Sequence, residues 1–269
     1  MTPYEAMVQT NHRIIRYGAA SVTAAERELL VPLLLSARTT KETAMAFYNA
    51  VRFPGNRDEK GRRIYPEHMI PPYNGGKKYS PVLGQMPGTH ILSANGYELE
   101  ILRLLQLLAP DHPDVRDMND KTIARLRHAC FACEDDGVGE CFDTNLTVLR
   151  YLGTVCPENS GWIRDRIGVF HRHYGEKKRP WQTMWTFYLC LSELPESAAL
   201  PELERVRGQM LRFLREQSCV SRTQEDQTLH PVLFCILRNC VARTPAYAHL
   251  REMQPYMDET GGRMRFPAF

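Results

Sequence analysis

An excess of charge of one sign is the first thing this chain lacks. Its 34 basic and 31 acidic residues leave a formal net charge of only +3. A protein that neutralises a run of phosphates usually carries a concentrated basic excess, so nucleic acid is disfavoured as a partner. Basic clusters do occur at 57–63, at Lys77 and Lys78, and at 177–179, but each is short enough to be a solvated surface. A long apolar run is missing too. Residues 29–35 are the most apolar stretch near the start; Pro32 interrupts them, and they fall far short of the ~20 residues that span a bilayer. No membrane span is therefore expected. The opening MTPYEAMVQTNHRIIRYG has no apolar core of a secretory signal. A cytoplasmic location follows as the expectation, with the eight cysteines as reduced thiols.

Several sequence signatures are also absent. The chain has no phosphate-cradling P-loop, no Rossmann glycine pattern, no HExxH helix and no GxSxG elbow. Together with a weak strand signal, these absences disfavour most nucleotide-dependent α/β enzymes.

What is present is helical periodicity. A hydrophobic content of 43% and a charged content of 24% are those of an ordinary globular protein. Residues 3–17 read as a first helix, with Pro3 early and Gly18 as a stop. Thr23 and Glu26 have the spacing of a capping box and open a second helix to about residue 38, with Pro32 inside it. Residues 53–93 break the pattern with repeated prolines and glycines, yet they carry Tyr65, Met69, Ile70, Tyr73, Val82 and Leu83. A long loop with that many apolar groups is either a lid or binding surface, or a structural wrap over a helix edge.

From residue 94 a short apolar motif recurs, beginning at Ile101, Val148, Tyr188 and Ile236. A proline ends each occurrence: Pro110, Pro157, Pro195 and Pro245. After each proline comes a more polar amphipathic segment, at about 115–132, 161–174, 200–217 and 246–257. An inner helix that is apolar all round, backed by an outer amphipathic one every ~40–50 residues, is the pattern of stacked helix pairs. The expected fold is all-α: one domain over 1–269, built of repeated helix pairs in a closed or partial α/α-toroid-like ring, with the irregular loop at 53–93.

The stretch 134–152 carries the chain's family resemblance. Asp136, Gly137 and Gly139 form an acidic glycine turn, Asp143 and Thr144 open a helix, and Leu149 and Leu152 lie in its leucine-rich run. This resembles one repeat of the terpenoid cyclase and protein prenyltransferase α/α-toroid superfamily. The resemblance implies the toroid fold. It does not extend to the chemistry, because neither the DxDD acid motif of the cyclases nor the zinc ligand set of the prenyltransferases is found.

Candidate site residues follow from this arrangement. Asp136, Glu140 and Asp143 lie where a toroid's turns rim the cavity mouth, and would act as general acid and base or hold a divalent cation. Alternatively they cap a helix and form an acidic surface turn. His230 opens the last inner helix and would face the same mouth, with Tyr97, Glu98, Gln182 and Trp185 at comparable positions in other units as substrate-binding groups. Cys130, Cys133 and Cys141 form C-x2-C-x7-C, an incomplete zinc set or simply buried thiols. Two functions stay open: an enzyme-like or ligand-binding protein with a small-molecule site at the mouth of a helix-lined cavity, or a non-catalytic helical-repeat scaffold for a protein partner.

Overall fold

A computed structural model of the chain describes residues 1–45, 56–57, 60–61, 63–68, 82–84, 90–129, 132, 140–174 and 181–269. These residues are mostly helical with little strand, so the fold class is all-α. Among them, no helix is long and apolar enough to cross a membrane. They form two compact units.

The first unit comprises Met1–Asn11 and Val22–Val155. Helix α1 (Pro3–Tyr17) starts here, and Thr2 and Glu5 cap its first turn reciprocally. Helix α2 (Ala24–Leu35) opens on the Thr23–Glu26 capping box expected from the sequence. It stops three residues short of the expected end because residues 37 and 38 close tighter turns onto the carbonyls of Leu34 and Leu35. Within the irregular stretch, β1 (Asn56–Arg57) pairs antiparallel with β2 (Arg63–Ile64), while His68, Val82 and Leu83 are buried. Helix α3 (His90–Leu108) is the centre of this unit, and its residues 97–105 are buried without a break. It packs on α2, on α4 (Pro113–Leu126) and most extensively on α5 (Glu140–Val155). Ile101 and Val148, the starts of two copies of the apolar motif, are both fully buried.

So complete a burial forces the charges on α3 to find partners inside the protein. Glu98 is paired with Arg125 of α4, and it also accepts hydrogen bonds from the Glu67 N–H at 2.7 Å and the Thr122 hydroxyl at 3.1 Å. Glu100 is paired with Arg150 of α5, and Asn11 Oδ1 accepts from both Arg103 and Arg150 at 3.2 Å.

The second unit comprises His12–Ser21 and Cys156–Phe269. Helix α8 (Glu196–Glu216) packs on α6 (Ser160–Tyr174) and on α9 (Gln224–Val241), and α9 packs on α7 (Trp181–Glu193). Its core is aromatic. The Phe170 and Phe187 rings stack at 3.8 Å between centroids, and Trp185 meets Tyr188 and Phe213 edge-on. Tyr188 and Ile236, which begin the other two motif copies, are buried in this core. A capping box of Thr223 with Asp226 starts α9.

The tail differs from the sequence reading. Instead of a helix over 246–257, Pro245–Glu252 forms a 3-10 segment and the chain then turns extended. Pro255 follows so closely that an α-helix cannot continue. Strand β4 (Tyr256–Met257) pairs with β5 (Arg263–Arg265), and β5 pairs with β3 (Cys219–Val220), all antiparallel. The β4–β5 turn is held by Asp258 Oδ1, which accepts from the Thr260 hydroxyl and from the Gly262 and Arg263 N–H groups, and Gly261 supplies the positive φ of 66°.

Candidate functional site

The last turn of any helix leaves carbonyls without intrahelical donors. At the end of α1, Gly18 takes a φ of 80° and its N–H returns to the Ile14 carbonyl at 2.7 Å. Two carbonyls beyond Ile14 are satisfied from elsewhere in the second unit. Asn239 Nδ2 donates to the Ile15 carbonyl at 2.8 Å. Arg238 Nη2 donates to the Arg16 carbonyl at 2.8 Å, and Gln254 Nε2 adds a bond of 3.3 Å to the same oxygen. Arg238 is only 3% exposed, and its guanidinium also binds the Met253 carbonyl and Asn239 Oδ1. Its partners are thus carbonyls and an amide, with no carboxylate among them. Burial lowers its pKa, against the pull of Cys235 and Glu252, and the negative end of the α1 dipole supports its charge.

Beside this cap opens a cleft of about 580 Å³, and every residue lining it belongs to the second unit. Four arginines line it: Arg16, Arg238, Arg243 and Arg251. Glu196 and Glu252 are the acids, and Ser192, Asn239 and Gln254 add neutral polar groups. Arg243 anchors one nitrogen on the Leu191 carbonyl at 3.0 Å. Burial lowers its pKa too, opposed by Cys240 and Glu196 and reinforced by Arg251. Arg16 sits over the exposed Tyr17 ring at 4.9 Å, and its buried Nε has no hydrogen-bond partner. Among the described residues, no carboxylate comes within the 4.0 Å ion-pair distance of any of these four guanidiniums. The cleft thus holds cations that are not in ion-pair contact with the two acids beside them.

None of the described residues expected from the sequence lines this cleft. His230 belongs to the second unit: its Nδ1 lies 2.7 Å from Ser221 Oγ and its Nε2 lies 3.9 Å from Asp226 Oδ1. Serine, histidine and acid in a row invite comparison with a nucleophilic triad. Ser221 is fully buried, however, and its hydroxyl also reaches the Cys219 carbonyl at 3.2 Å. A substrate cannot reach that oxygen, so the row joins β3 to the start of α9. Trp185 is 1% exposed in the aromatic core of the same unit. Gln182 lies in the first turn of α7.

In the first unit, Tyr97 is buried with its ring 6.4 Å from that of Tyr4, and Glu98 is held against Arg125. Burial raises the Glu98 pKa against the opposing pull of Arg125. Glu140 begins α5, with Cys141 and Asp143 half-buried in its first turn. Asp136, Cys130 and Cys133 lie outside the described residues. Among the described residues, no three histidine, cysteine or acidic side chains are grouped to hold a metal ion.

Compared with family models, curated proteins and solved structures, the chain finds no match. The functional reading therefore rests on the geometry of the cleft. Its residues come from positions 14–18, 192–196, 238–243 and 251–254, and no local motif joins them. The one sequence signal was Arg238, a charge inside the apolar motif beginning at Ile236.

Proposed function

We propose that this protein binds a small anionic molecule in the arginine-lined cleft of its second unit. The observation that carries the reading is four guanidiniums around about 580 Å³ with no carboxylate, among the described residues, in ion-pair contact with any of them. That volume lies in the range of small-molecule sites. Guanidinium is the side chain best suited to planar or tetrahedral oxyanions, because its donors form a fixed fork. Arg243 and Arg251 are the groups assigned to the ligand, since Arg238 is occupied at the end of α1.

Thermal denaturation with added inorganic phosphate or succinate tests the proposal. A ligand at ten times its Kd stabilises by about 1.4 kcal/mol, enough to raise the Tm by a few degrees. The expected result is a saturable rise in the parent protein and none in the Arg243→Gln, Arg251→Gln double variant. Identical responses in both proteins would remove the cleft from consideration.

The finer architecture, repeated helix pairs about a shared axis as in α/α toroids, is part of the same proposal. It is supported by α3 packing on α5 in one unit and α7 packing on α9 in the other. In each of the four, the apolar motif starts at a buried residue and a proline follows the helix end.

A further inference from the structure

The cations of the cleft are not evenly spread. Arg238 donates to the Arg16 carbonyl at the end of α1, whereas Arg243 is anchored on the Leu191 carbonyl near the end of α7. Two groups follow: Arg16 and Arg238 gather at the end of α1, and Arg243, two residues past the end of α9, lines the cleft with Arg251 of the 3-10 segment. A bare oxyanion would occupy one pair and leave most of the 580 Å³ to water.

Resting on the anion-binding reading above, we propose that the ligand carries two acidic groups on a short polar body. Arg16 receives one group, with Arg238 behind it as fixed charge, and Arg243 with Arg251 receives the other. Arg16 lines the cleft, and its Nε has no hydrogen-bond partner among the described residues. The body between the acids is polar, since apart from Ile14, Ile15 and the Tyr17 ring the lining is charged, amide, hydroxyl or glycine. Dicarboxylates and bisphosphates share this chemistry, and the guanidinium fork accepts either.

Two matched pairs of probes, titrated calorimetrically into the full chain, separate the possibilities: butyrate with glutarate, and propylphosphonate with propane-1,3-bisphosphonate. At least one two-headed probe is expected to bind at least tenfold more tightly than its one-headed partner, and which pair shows the gap identifies the acid. Arg251→Gln, at an exposed position, should shrink that gap to less than threefold, and Arg16→Gln should do the same. A gap below tenfold in both pairs, with binding retained, overturns the two-acid proposal and leaves the anion site standing. A gap unchanged in Arg251→Gln overturns the assignment to these arginines. No binding of any probe removes the anion site itself.

Discussion

Replacing His68 with glutamine should flatten the acid side of this protein's stability curve. His68 is fully buried in the first unit, with its Nε2–H donating to the Leu34 carbonyl at 3.0 Å. Its Nδ1 is buried without a partner, so a second proton there would be a buried cation with nothing to receive it. Burial pushes the pKa down from 6.5 to about 4; the Arg38 charge adds to the shift, and the bond to Leu34 opposes it. Between those two values the unfolded chain binds a proton that the folded chain refuses. Stability from this group is therefore complete above about pH 6.5, falls by about 1.4 kcal/mol per pH unit below it, and is gone near pH 4. The whole effect is about 3 kcal/mol.

Glutamine can still donate to Leu34 but does not titrate, and subtracting its curve from that of the parent cancels every other ionising group. In urea denaturation followed by far-ultraviolet circular dichroism, the parent's advantage over the variant should shrink by about 2 kcal/mol from pH 7 to pH 5. Parallel curves across that interval would refute the reasoning.

Two further outcomes concern stability. Arg125→Met leaves Glu98 buried beside no cation, at a cost of about 3–5 kcal/mol in urea denaturation, and Glu98→Leu with Arg125→Met should recover most of the loss; an equal loss in the double variant would contradict the pairing. Thr223→Ala removes the hydroxyl that accepts the Asp226 N–H at 3.0 Å, and should cost about 1 kcal/mol by the same measurement.

How much was legible in the sequence depended on the range of the interaction. Thr23 with Glu26 announced the start of α2, because a capping box needs only neighbours three apart. The apolar motifs at Ile101, Val148, Tyr188 and Ile236 marked buried helices for the same local reason. The expected helix over 246–257 overruns the 3-10 segment that ends at Glu252, although Pro255 and the Asp258, Gly261 and Gly262 turn are plain in the sequence. The pairing of Glu98 with Arg125 spans 27 positions, which no local pattern encodes. The cleft was invisible for that reason too. Arg16 joins Arg238, Arg243 and Arg251 only after α1 is capped by residues more than 220 positions away.

The anion-binding cleft is tested most directly by the arginine side chains themselves. In a nitrogen-15 spectrum of the Arg Nε–Hε groups, titration with inorganic phosphate should move the signals of Arg243 and Arg251 together, saturably and with a single Kd. Signals that stay in place, or that drift linearly and uniformly across all arginines, would contradict the account.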